Sequence, residues 1–133
     1  MYSILQYNAY IFVMQLTIMN IENSKAQLRK GILEFCVLAL LGKQEAYPSD
    51  LLQSLKGAEL IVVEGTLYPL LNRLKNAGLL TYRWEESKSG PPRKYYSLTE
   101  QGKTFFKELT TSWSELRDAV ENVLETNITN ENK

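Results

Sequence analysis

These 133 residues predict a mainly helical chain carrying one small two-stranded antiparallel ribbon. Three observations lead there. The stretch GTLYPLLNRLKNAGLL, residues 65–80, places Leu67, Leu70, Leu71 and Leu74 on one helical face and meets Gly78 where a helix end is expected. The stretch GPPRKYYSLTEQG, residues 90–102, reads as a turn, a basic strand and a helix start. Beyond it, Phe106, Leu109, Trp113, Leu116, Val120 and Val123 recur in steps of 3, 4, 3, 4 and 3, the spacing of a helix–helix seam.

The elements follow in order. Ser24 and Gln27 form an S-x-x-Q capping box that opens a first helix, running to Leu41 and ending at Gly42. Its second half, ILEFCVLALL, is apolar nearly all round, so it is buried on more than one side. A second helix runs from Pro48, since proline suits a first turn, to Leu55, with Leu51, Leu52 and Leu55 inward. The apolar run in residues 56–63 is either a short strand or a lead into the next helix. A third helix starts near Glu64, whose charge suits the positive helix end. Pro69 inside it removes a backbone hydrogen bond and crowds the carbonyl of Gly65. Residues 80–86 make one strand, with Leu80, Tyr82 and Trp84 on one face as ribbon core. Residues 87–92 make the turn. Residues 93–98 make the return strand, with Tyr96 and Leu98 inward. Thr99 caps a fourth helix, and residues 127–133 form a polar tail.

Composition bounds the function. One domain is the default at this length, and a hydrophobic fraction of 44% suffices for a core. The chain balances 15 basic against 15 acidic residues, so net charge argues for no partner. Its distribution does. Residues 66–103 hold seven basic and three acidic residues, a net of +4, whereas residues 104–133 carry a net of −3. A mixed solvated surface is the bland alternative. Cys36 is the only cysteine and reads as a small buried thiol. The chain has no histidine, which removes histidine-based triads and histidine metal sites, and no Gly-rich phosphate loop. No enzyme, cofactor or metal is expected.

Helices followed by a two-stranded ribbon with a basic tip read as a winged helix-turn-helix. Such a unit lays one helix in a DNA groove and a wing beside the phosphates. The motifs GTLYPLL, RL at 73–74, AGLL at 77–80 and PPRKYYSLTEQG closely resemble the PadR family of bacterial transcriptional regulators, over residues 25–125. The resemblance implies a homodimeric repressor, often released by a small ligand. Pro48 and Ser49 depart from the family pattern, in which many members carry a glycine or tyrosine and an acid.

On this reading residues 24–98 are the DNA-binding domain and residues 99–126 the dimerisation helix. Advancing about 100° per residue along the third helix, the face opposite the leucines carries Gly65, Pro69, Asn72, Arg73 and Asn76, with Thr66, Tyr68 and Lys75 on its flanks. With Glu64 they form the expected DNA-reading surface. Lys88, Arg93 and Lys94 on the wing fit phosphate contact; a solvated hairpin end is their alternative. Tyr68 has the alternative of packing near the second helix, and Arg73 that of pairing with an acid. The dimer seam is expected at Phe106, Leu109, Trp113, Leu116, Val120 and Val123. Trp113 is either a seam residue or, with its symmetry mate, one wall of a slot for planar aromatic ligands, as the resemblance to some multidrug-sensing members implies. The expected partners are double-stranded DNA at a pseudo-palindromic operator, a second copy and a planar aromatic effector, in the cytoplasm. A winged-helix protein-interaction module without DNA contact is the rival class.

Residues 1–23 match nothing in the family pattern. They hold one acid, Glu22, and no base. Three readings stand: a start at Met14 or Met19, an extra element packing on the dimer, or membrane association. The apolar run from Ile4 to Met19 is broken by four polar residues, short of the roughly 20 that span a bilayer, and the basic region of a secretory signal is missing.

Overall fold

The structure, a computed structural model, describes residues 1–131, with side chains described as far as Glu125. Six elements follow in order: α1 (Ile4–Lys43), α2 (Pro48–Gly57), α3 (Glu64–Asn76), β1 (Leu80–Ser87), β2 (Gly90–Leu98) and α4 (Glu100–Glu131). This is the expected mainly helical fold with one antiparallel ribbon. The apolar run at residues 60–63 is a loop, with Ile61 and Val63 exposed. The helix ending the chain continues past Thr126, the expected boundary, to Glu131; Asn132 and Lys133 of the expected tail lie outside the described residues.

The first helix does not begin at Ser24. It runs unbroken through that residue. The sequence contains a second S-x-x-Q motif 21 residues earlier, and that one is used: Ser3 N–H donates to Gln6 Oε1 at 2.8 Å and Gln6 N–H donates to Ser3 Oγ at 3.2 Å. No proline or glycine interrupts the chain between the two motifs. A cap needs a chain that leaves the helix before it, and nothing there makes it leave. The chain divides into two units, Met1–Glu34 and Phe35–Lys133. In the first, the apolar residues from Tyr2 to Leu28 are exposed. No described helix is long and apolar enough to cross a membrane.

The second unit has a leucine core. Val37, Leu38 and Leu41 come from α1, Leu51 and Leu55 from α2, and Leu67, Leu70, Leu71 and Leu74 from α3. Leu79, Leu80, Tyr96 and Leu98 close it from the ribbon, and no polar or charged side chain is buried among the described residues. Burying each such side chain contributes about 1.5–3 kcal/mol. Leu52 is half-buried. So is Cys36, and burial pushes its thiol pKa up.

The strands pair from Leu80↔Leu98 outward through Tyr82↔Tyr96 and Trp84↔Lys94, with a register shift between Glu85 and Ser87. The turn is tighter than expected, because β2 begins at Gly90 and includes Pro91 and Pro92. Prolines fit where the ladder is already irregular. Ala46 adds a one-residue bridge to the other edge of β2: Ala46 N–H donates to Tyr96 O at 3.0 Å and Tyr96 N–H to Ala46 O at 2.9 Å.

The root of the ribbon is a knot of backbone bonds. Gly78 adopts φ +82° after α3, and Leu79 N–H reaches back to Leu74 O at 3.0 Å. Thr99 caps α4 as expected, accepting from Gly102 N–H at 2.9 Å, while its hydroxyl donates to Gly78 O at 2.7 Å. A Cβ added at Gly102 would collide with the Leu79 carbonyl oxygen. Gly102→Ala is therefore expected to cost about 1–3 kcal/mol in urea denaturation, the usual range for overpacking. Gly31→Ala, whose new methyl meets open space in the middle of α1, should instead gain roughly 0.5–1 kcal/mol.

Candidate nucleic-acid interface

Four leucines position α3. With Leu67, Leu70, Leu71 and Leu74 buried, the opposite face turns outward, and Glu64, Gly65, Thr66, Tyr68, Pro69, Asn72 and Arg73 are all exposed. Tyr68 keeps 49% of its surface. Gly65 has open space where a side chain would stand. The start of α3 is bare, because Val63 at its N-cap offers no side-chain hydrogen bond. Thr66 N–H and Leu67 N–H donate to Val63 O, and the helix dipole at this end favours an anion.

The ribbon has two chemically different faces. On one, Tyr82, Trp84, Lys94 and Tyr96 lie together. Tyr82 and Tyr96 sit 5.5 Å apart by ring centroid, and Tyr82 meets Trp84 edge-on at 5.9 Å. Lys94 Nζ stands 4.5 Å from the Tyr82 centroid and 5.5 Å from that of Trp84. Lys75 of α3 reaches the same Tyr82 ring at 5.3 Å. The phenol pKa of Tyr96 is pushed up, first by burial and then by the neighbouring phenols of Tyr82 and Tyr68.

On the other face, charges are matched. Arg83 pairs with Glu45 at 3.2 Å and Glu85 at 3.6 Å and stacks on Tyr95 at 4.7 Å. Its pKa is raised, mainly by the Glu45 hydrogen bond. Tyr47 donates its hydroxyl to Glu85 Oε2 at 2.9 Å, and that bond, ahead of desolvation, pushes its own pKa up. The Arg93 guanidinium lies 4.6 Å from the Tyr47 centroid. Arg93 and Lys94 are neighbours in a strand, so they project to opposite faces. Lys88 occupies the turn and is exposed.

Trp84 is not ribbon core. It remains 61% exposed. The core covers the ribbon at Leu80, Leu98 and Tyr96, and Trp84 lies one same-face step beyond the Tyr82↔Tyr96 pair.

The stripe on α4 splits in two. Phe106, Leu109 and Trp113 are half-buried, and Phe35 of α1 packs against Phe106 at 5.6 Å and Trp113 at 6.2 Å. Leu116, Val120 and Val123 are exposed. Sequence reasoning missed Glu45, Tyr47 and Tyr95, placed Lys75 on the flank of the reading face, and gave Tyr82 no binding role. The alternation of aromatic and charged residues along TYRWEE and RKYY was the available signal. Among the described residues, no group of three or more acidic, cysteine or histidine side chains is placed to hold a metal.

Three helices, a ribbon packed on the third and an outward polar helix face define a winged helix-turn-helix protein. Residues 37–108 match the Transcriptional regulator PadR-like family, and the chain belongs to that family. It is 59% identical to a PadR-like transcription factor from Bacteroides fragilis, covering 76% of this chain and 98% of that one, with a TM-score of 0.66. A PadR family transcriptional regulator from Eggerthella lenta is 37% identical over 84% of this chain and 98% of its own, with a TM-score of 0.74. Bacillus subtilis PadR, solved in complex with operator DNA, is 27% identical, covering 59% of this chain and 46% of that one, with a TM-score of 0.55.

Proposed function

We propose that this transcriptional regulator binds double-stranded DNA as a homodimeric repressor at a pseudo-palindromic operator in the cytoplasm, and that a small planar aromatic ligand releases it. The observation that carries the reading is the exposed polar face of α3 beside a ribbon edged with cations. The operator complex of Bacillus subtilis PadR supports DNA as the partner. In this reading Glu64, Gly65, Thr66, Tyr68, Pro69, Asn72 and Arg73 lie against the groove, and Lys88, Arg93 and Lys94 serve the backbone. Gly65 lets the helix start approach closely. Asn72 and Arg73 offer the donors that read base edges.

Selection of bound sequences from random duplexes tests this. Asn72→Ala or Arg73→Ala should cost roughly 1–3 kcal/mol per lost bidentate contact and relax preference at one position per half-site. A double variant with unaltered preference would move the reading face elsewhere. A wild-type chain that binds no duplex, yet captures a protein partner, would favour the interaction-module class.

The dimer is assigned to the exposed half of the α4 stripe, since Leu116, Val120 and Val123 keep the helix–helix spacing with nothing over them in one chain. Placing glutamate at both Leu116 and Val120 should give a folded monomer by sedimentation that has lost operator binding. A dimeric double variant would locate the interface elsewhere.

Trp113 supports the ligand. It is half-buried beside Phe35, so an aromatic wall is already built. A planar dye should quench tryptophan emission and lower operator affinity together, and Trp113→Ala should lose most of that binding. Dye binding that leaves operator affinity untouched would leave a slot without a switch, because a ligand equal toward both states shifts nothing. Unchanged dye binding in Trp113→Ala would make the residue structural only.

A further inference from the structure

We propose that the angle between α3 and the ribbon is a seat for a single backbone phosphate of the DNA, formed by Lys75, Lys94, Tyr82 and Trp84. The proposal rests on the DNA-binding reading and adds to it residues and a geometry. Lys75 arrives from the last turn of α3 and Lys94 from β2, and both ammonium groups converge on the ring of Tyr82, at 5.3 and 4.5 Å from its centroid. Two like charges brought together from separate elements repel, and an aromatic face relieves that only in part. No carboxylate among the described residues pairs with either lysine. The opposite face of the same ribbon is built the other way, with Arg83 held by two carboxylates. The positive charge left unmatched on the α3 side fits one anion shared between two lysines.

Trp84 gives the ligand its class. It stands edge-on to Tyr82, flanks Lys94 and leaves 61% of its surface to solvent. An exposed indole beside Lys94 suits a phosphate carried on a sugar whose C–H face can lie on the ring, which is the repeating unit of a nucleic-acid backbone. Asn72 precedes Lys75 by about one turn of the same helix. A phosphate seated here ties the reading helix and the wing to one point on the duplex and fixes their register together.

Salt-dependent binding of a random-sequence duplex, followed by anisotropy, tests the seat. Each neutralised phosphate contributes about 0.9 to the slope of log affinity against log salt. If one phosphate is shared, the Lys75→Gln, Lys94→Gln double variant should lose about 0.9 per protomer, each single variant less than half of that, and Lys94→Arg nothing. Full and additive losses in the singles would mean two separate phosphates and would overturn the shared seat. A double variant with the wild-type slope would remove these lysines from the interface while leaving DNA binding intact. Absence of any duplex binding by the wild type would sink both. Tryptophan emission supplies a second readout. Duplex should change it in the wild type, and Trp84→Phe should lose that change; an equal change in Trp84→Phe would exclude Trp84 from the seat. Inorganic phosphate alone should not reproduce it. If inorganic phosphate reproduces it at the concentration of duplex phosphate, the site belongs to a free anion and the backbone assignment fails.

Discussion

The reading head hangs from the junction of Thr99, Gly78 and Gly102. There α3 ends, β1 begins, β2 ends and α4 begins. The Thr99 hydroxyl accepts from Gly102 N–H and donates to Gly78 O, and Thr99 N–H donates to Leu79 O at 3.1 Å. One side chain thus ends one helix and starts another while fixing the base of the ribbon. The bare Cα of Gly102 allows the first turn of α4 to lie against the Leu79 carbonyl. Any side chain there would push α4 away from the ribbon. The angle of the wing relative to α3 is therefore decided at its root, where the structure is most constrained, and is expressed at its tip.

A second tether acts from the other edge. The Ala46–Tyr96 bridge joins the α1–α2 connection to β2, and the Glu45, Tyr47, Glu85 and Arg83 group closes over it. These ion pairs are about half exposed, so each contributes little stability alone. Their larger effect is on where charge is free. Two carboxylates occupy Arg83, and a tyrosine ring lies beside Arg93. The side facing α2 thus sets the carboxylates of Glu45 and Glu85 against the guanidinium groups of Arg83 and Arg93, and the side facing α3 holds Lys75 and Lys94 with no carboxylate among the described residues paired to them. A net charge of zero over the whole chain hides this polarity.

The leucine face of α3, the turn at Gly78, the Thr99 cap and the antiparallel ribbon were all legible in the sequence, because each follows from local spacing or from a residue with one dominant backbone role. What was not legible depended on choices between equals or on distance. Two S-x-x-Q motifs compete to start α1, and the local pattern cannot rank them; Ser3 wins because nothing interrupts the chain downstream. Trp84 shares its strand face with Leu80, but alternation tells the face and not how far the core extends along it. The α4 stripe reads as one seam, yet Phe35 takes its first half within the chain. Tyr47 and Glu85 are 38 residues apart, and only the bridge at Ala46 brings them together.

The residues that defy local rules gather on one surface. α3 carries Gly65 and Pro69, both poor helix formers, and begins without a side-chain cap. Left to its own propensity, EGTLYPLLNRLKN would be a weak helix. Packing of Leu67, Leu70, Leu71 and Leu74 holds it, so the outward positions are relieved of any duty to stabilise it. A cap, an alanine at residue 65 or an ion-pair ladder would each strengthen the helix and fill the space or occupy the N–H groups that now face outward. Local weakness tolerated on the exposed side of a helix, and repaired from the buried side, is what a surface shaped for a partner requires. Trp84 obeys the same logic on the ribbon: covering it would gain stability at the position where the protein instead leaves an indole beside Lys94 and open to solvent.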